Sequence, residues 1–172
     1  MKITINGKEY ECQEIKIKTE AGEIVINSDI DKKKTGYERV DKNDRYIFTT
    51  NDGDIITTID CHGTIDNVYY DNANYYSSEE IAKNNARVDK LMRQLRRFSV
   101  ENRKSKTDWT KRENHKYRIA YNHLESMIRT ERSFVVEGFG VVYFDSRELA
   151  EQAIKEFKDE LIWYFTEYRD SL

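Results

Sequence analysis

A chain of 172 residues is long enough for one compact domain or two small ones. Hydrophobic residues make up 38%, charged residues 35% and aromatics 12%, twelve of them Tyr. With a mean hydropathy of −0.88, that composition implies a thin core built from Tyr and Phe faces whose polar ends reach water. The net charge is −3 and no run approaches the roughly 20 apolar residues of a membrane helix. The N-terminus alternates instead of carrying an apolar signal segment, so a cytoplasmic protein with no membrane contact is expected.

From Met1 to about Ile26, Ile3, Ile5, Tyr10, Cys12, Ile15 and Ile17 fall in period-two stretches broken at "NGK" and "EAGE". This predicts an antiparallel hairpin or meander over 1–27, with Asn6-Gly7 as a tight turn because both residues tolerate positive φ. The polar stretch 28–36 reads as a linker. Residues 37–70, rich in Ile, Thr and Tyr, carry turn signals at "KND", "NDGD" and "CHG" and predict short strands throughout, "GTIDNVYY" included. From Ser78 the period changes: Ile81, Val88, Leu91, Met92, Leu95 and Phe98 recur at helical spacing as far as about Asn102. Ser77 or Ser78 caps that helix, and Glu79 and Glu80 suit its dipole. After a polar stretch, "KYRIAYNHLE" and "RSFVVEGFGVVYF" read as strands. A second helix starts near Ser146 with Leu149, Ala153, Phe157, Leu161, Phe165 and Tyr168 on one stripe.

The order of strands followed by a helix is therefore spelled twice. "YYSSEEIA" at 75–82 aligns with "YFDSRELA" at 143–150 at an offset of 68, and Tyr46 aligns with Tyr117 at 71. The expected fold class is α+β: an N-terminal antiparallel β meander, 1–27, followed by two similar sheet-plus-helix units, 36–103 and 107–172, each a short antiparallel sheet on one long helix. An internal repeat of two units is too short for a solenoid, so they pack on each other.

Catalytic machinery is not visible. Cys12 and Cys61 form no CxxC, His62, His115 and His123 have no HExxH spacing, and the glycines make neither GxGxxG nor a P-loop. Adjacent strand residues such as Cys61 and His62 point to opposite faces, which argues against a nucleophile pair. Asp52, Asp54 and Asp60 around "NDGDIITTID" are the nearest thing to a metal-dependent nuclease site. The loop lacks the full calcium pattern, and a hairpin turn explains it better. No catalytic residue, metal ligand or cofactor is therefore expected.

Charge segregation is the stronger signal. Residues 83–118 carry thirteen Lys and Arg against Asp89, Glu101, Asp108 and Glu113, a net +9 in a chain whose total is −3. Arg93, Arg96, Arg97, Arg103, Lys104 and Lys106 with Trp109 give the mix of cations and aromatic faces used by nucleic-acid surfaces, and these seven are the candidate binding residues. The competing expectation is a solvated helix face paired with Glu148, Glu151, Glu156, Asp159, Glu160 and Glu167 of the second helix. In that case the remaining carboxylates are free to mimic nucleic-acid phosphates toward a basic groove. The aromatics Trp163, Tyr164, Phe165 and Tyr168 exceed the needs of one stripe and suggest contact with a partner or a second copy of the chain.

"NYYSSEEIAKNNARVDKLMRQLRRF", "TDWTKRENHKYRIAYN" and "VVYFDSRELAEQAIKEFKDELIWYF" carry a resemblance. Over residues 36–170 the chain resembles small phage- and prophage-encoded proteins whose C-terminal unit runs from a DW motif to a "YFxSxELAxxAI" helix ending in "ELxWYF". The resemblance implies a mobile-element origin and a protein that works in the host cytosol by binding and blocking host machinery. An anti-CRISPR inhibitor occluding an effector nuclease is the leading form of that expectation, with a nucleic-acid-binding accessory protein as the alternative. No residue role is carried over from the resemblance.

Overall fold

A computed structural model gives the fold and describes residues 2–5, 8–11, 14–19, 22–27, 34–105 and 108–168. The chain divides into two compact units, Met1–Thr35 and Gly36–Leu172.

In the first unit β1 (Lys2–Ile5) pairs antiparallel with β2 (Lys8–Glu11), and β3 (Glu14–Thr19) with β4 (Gly22–Asn27). Among the described residues these are two separate two-stranded antiparallel hairpins, the hairpin form of the expected hairpin or meander, made twice. Ile5 lies opposite Lys8, so the first connection has the two-residue length of the expected tight turn. Asn6 and Gly7 themselves lie outside the described residues, as do Cys12 and most of the expected linker.

The second unit is mixed α and β, and its two halves follow one plan. In the first half β5 (Arg45–Thr49) and β6 (Ile55–Ile59) form a hairpin, and the chain returns at Tyr76 to bridge Ile47 through two backbone hydrogen bonds of 2.8 Å. Between β6 and Tyr76 lies the short helix α1 (Thr64–Asp71), and after the bridge Ser78 caps the helix α2 (Glu79–Asn102), accepting from the Ile81 N–H. In the second half β7 (Lys116–Asn122) and β8 (Met127–Ser133) form the hairpin, and β9 (Tyr143–Phe144) returns to pair with β7. Ser146 caps α3 (Arg147–Glu156), accepting from the Leu149 N–H. The helical path hitches at Phe157, resumes as α4 (Lys158–Trp163) and ends in a π-helical segment, Tyr164–Tyr168.

The offset of 68 holds at the helix starts, where Ser78 corresponds to Ser146 and the fully buried Ala82 to Ala150. The strand alignment shifts by one. Because Ile47 faces Tyr76 as Tyr117 faces Phe144, Tyr46 corresponds to Lys116 and not to Tyr117, and both of those side chains are buried. A one-residue slip would send each to the opposite face of its sheet.

The strand reading departs from the structure in four places: residues 37–44 form turns and irregular chain, β8 lies mostly in residues 127–131 that the reading leaves unassigned, and two further segments expected as strands are not. "TIDNVYYD" is the helix α1, started at Gly63 by Asp66, whose carboxylate accepts from the Gly63 and Cys61 N–H groups at 3.0 Å. A capped first turn overrode the strand preference of Thr, Ile, Val and Tyr. Residues 134–142, between β8 and β9, form an irregular loop because Gly138 and Gly140 interrupt the run.

The main core joins Leu91 and Leu95 of α2 to Phe144, Leu149, Ala150, Ala153 and Leu161, so α2 helps close the core of the second half as well. A smaller aromatic core lies in the first half: Tyr46 stacks on Tyr75 with centroids 4.1 Å apart, and Phe48 on Tyr69 at 4.2 Å. Buried Tyr rings supply area that aliphatic residues are too few to supply, as the composition implied. Among the described residues, no helix is long and apolar enough to cross a membrane.

Candidate nucleic-acid interface

At 3.6 residues per turn, Leu91, Leu95 and Ser99 form the buried stripe of α2. Lys90, Arg93, Arg96, Arg97 and Val100 occupy the opposite, exposed side. Arg93 neighbours both Arg96 and Arg97 at three- and four-residue spacing, and Arg103 lies two turns beyond Arg96. The internal-neutralisation reading predicts that these cations meet the acidic helix. Arg87 does: it reaches Glu160 with bonds of 2.7 and 3.1 Å while its guanidinium lies 3.9 Å from the centre of the Trp163 ring. Among the described residues this is the one ion pair between α2 and α3 or α4. Lys90, Arg93, Arg96, Arg97 and Arg103 form no ion pair there.

Lys90–Arg93, Arg93–Arg96 and Arg93–Arg97 are like-charge neighbours three or four residues apart, which carries a small cost, and Asp89 and Glu101, each four residues from Arg93 or Arg97 on the exposed helix, offset part of it. A polyanion laid along the face would relieve it.

The chain leaves α2 at Arg103, whose N–H still reaches the Ser99 carbonyl at 3.2 Å. Asp145 then accepts from the Lys104 N–H at 2.6 Å and the Ser105 N–H at 3.3 Å, folding the segment back toward α3. Trp109 is half-buried. Its ring meets Tyr143 edge-on with centroids 4.8 Å apart, and the Lys116 ammonium sits 4.8 Å from its centre. Lys116 is itself buried and donates to the carbonyls of Asp108 at 2.6 Å and Phe134 at 2.9 Å. That ammonium ties three chain segments together at once. A cavity of about 270 Å³ brings Arg96, Arg103 and Trp109 together, with Glu137, Val141 and Asp145 on its other walls. Arg93 and Arg97 stand on the exposed side of the same helix, Lys104 is held at the corner by Asp145, and Lys106 lies outside the described residues.

Two further residues belong with this surface. Lys90 extends the arginine face by one turn and was legible in the helical spacing. Phe139, fully exposed in the loop beside the cavity, was hidden inside a run read as a strand, although a Phe between two Gly is a turn signal.

The carboxylates do not converge. Asp52 and Asp54 sit at the β5–β6 turn, where the Thr50 and Asp54 backbones bond at 2.9 Å. Asp60 is fully buried: Arg39 donates to it at 3.0 and 3.4 Å, the Tyr75 hydroxyl at 2.8 Å and the His62 N–H at 2.6 Å. Burial alone would raise its pKa, but those donors outweigh burial and hold it at about 2. The Tyr75 phenol is pushed up to about 12, first by burial and then by its bond to Asp60. This is a structural clasp. Cys61 is exposed and free, and among the described residues no three His, Cys, Asp or Glu side chains are grouped to hold a metal ion. The surplus aromatics at the C-terminus are used internally: Phe165 stacks on Tyr121, Tyr164 on Tyr168, and the Tyr168 hydroxyl donates to Asn85.

No family model, curated protein or solved structure matches the chain.

Proposed function

We propose that this protein acts by binding and not by catalysis, and that its contact surface is the cationic face of α2, which takes nucleic acid. The single observation that carries this reading is that Lys90, Arg93, Arg96, Arg97 and Arg103 are exposed and form no ion pair among the described residues although an acidic helix is packed nearby. Guanidiniums at helical spacing neutralise successive phosphates and release condensed counterions, which drives association without base contacts. The cavity beside Arg96 and Arg103 adds a recess into which a nucleotide can lean.

The alternative, an inhibitor of a host defence nuclease in the host cytosol, draws its support from the resemblance to phage-encoded proteins. The same arginine face would then meet an acidic protein surface. Capture with tagged protein from a bacterial lysate, with and without nuclease treatment, separates the two. The nucleic-acid reading predicts recovered DNA or RNA, its disappearance after nuclease treatment, and its absence with Arg96→Glu/Arg97→Glu. A single protein partner that survives nuclease treatment and is lost with the same variant would overturn it in favour of the inhibitor.

A further inference from the structure

The arginine face alone does not distinguish duplex from single strand, since both present phosphates. The loop beside it does. Between β8 and β9 the chain carries Phe134, Val135, Val136 and Phe139, all exposed, with Val136 at 72% and Phe139 at 106% of the reference area of the residue. Single exposed apolar residues are ordinary, but a cluster rimmed by charge marks a contact surface.

This loop is built and not slack. The Ser133 hydroxyl donates to the Val136 carbonyl at 2.6 Å, and Lys116 holds the Phe134 carbonyl. The Val141 N–H turns back to the Gly138 carbonyl at 3.5 Å, and Gly140 adopts a φ of +74° that few other residues accept. The Tyr143 hydroxyl accepts from the Gly138 N–H at 2.8 Å, and Tyr143 is braced in turn by Trp109. Phe139 is thus the outer corner of a turn anchored on both sides. Glu137 and Val141, two residues to either side of it, line the cavity that Arg96 and Arg103 also line, so the aromatic ring belongs to a loop bordering a recess with Arg96 and Arg103 on one side and Glu137 and Asp145 on the others.

We propose that this surface takes single-stranded nucleic acid, with phosphates on Arg96, Arg103 and the Arg93–Arg97 ridge and an unpaired base stacked on Phe139. The inference rests on the reading of α2 as a nucleic-acid face. A duplex buries its base faces in its own stack, whereas a single strand offers them to an aromatic side chain at any sequence. Glu137 repels phosphate from the loop's wall of the recess, which leaves that wall to the base. The anchors on both sides of the turn reduce the ordering cost of binding.

The test is fluorescence anisotropy of the full chain with a labelled 20-nucleotide strand and the duplex of the same sequence, for wild type and Phe139→Ala, Phe139→Leu and Phe139→Trp. The exposed position keeps folding intact, which circular dichroism verifies. The single strand should bind at least tenfold more tightly than the duplex. Alanine and leucine should each weaken it about tenfold, while tryptophan preserves affinity. Added indole fluorescence in the Phe139→Trp variant should be quenched on binding. Equal affinity for duplex, or an alanine variant that binds the strand like wild type, overturns this inference and leaves the α2 reading standing. Failure of wild type to bind either nucleic acid, or Phe139-dependent sedimentation with phosphatidylserine vesicles in its place, overturns both.

Discussion

Asp60 shows how far a single residue can be from what its neighbours in sequence suggest. In sequence it groups with Asp52 and Asp54 as one of the carboxylates of a hairpin turn, yet its partner is Arg39, 21 residues earlier, and no periodicity announces that pairing. Buried carboxylates are retained when enough donors converge on them, and here Arg39, Tyr75 and the His62 amide do so. Its folded pKa of about 2 lies below the roughly 3.9 of an unfolded Asp. It therefore contributes stability that is complete above about pH 4 and is lost as pH falls through about 2. Urea midpoints should fall across that window for wild type, and Asp60→Asn should show a smaller fall there. At neutral pH the same variant should lose about 2–3 kcal/mol, because the Arg39 charge and the buried Tyr75 hydroxyl are left poorly paired. Phe139 is the opposite case: its composition clue, an aromatic between glycines, was present but was read through the apolar alternation around it.

At the level of elements, the repeated helix starts were the most legible part of the chain. Ser, acidic residues in the first turn and a spaced apolar stripe agree on one answer, and Ser78 and Ser146 both accept the N–H three residues on. Ser78→Ala and Ser146→Ala should each cost about 1 kcal/mol, measured by urea unfolding. A loss confined to one of them would mean that the two halves do not use the motif alike. The helix α1 was illegible for a physical reason: its residues prefer strands, and Ile65 and Val68 remain exposed, so no buried stripe betrayed the period. The strand register was also out of reach by one residue, because matching Tyr46 to Tyr117 scores chemical likeness. The sheet aligns Tyr46 with Lys116, which is buried by bonding two carbonyls and lying against Trp109.

Across the whole molecule, charge segregation was legible from counting but its meaning was not. The same numbers allowed an internally neutralised helix or a free cationic face, and only the pairing pattern distinguishes them. Arg87 meets Glu160 and Lys90 borders the same cavity as Glu156, Asp159 and Glu160, while Arg93 and Arg97 stand on the side of α2 away from the packed stripe of Leu91 and Leu95. A chain of net charge −3 that concentrates cations on one face should orient a polyanion toward that face and be repelled elsewhere. Salt is the direct probe of that account. The measurement is the affinity for a labelled single strand across a series of salt concentrations, for wild type and for Arg96→Glu/Arg97→Glu. If Lys90, Arg93, Arg96, Arg97 and Arg103 each neutralise a phosphate, the logarithmic slope for wild type is about −3.5, and the variant's is shallower by at least about 1.4. A wild-type slope near zero, or a variant that keeps the wild-type slope and affinity, would contradict the account.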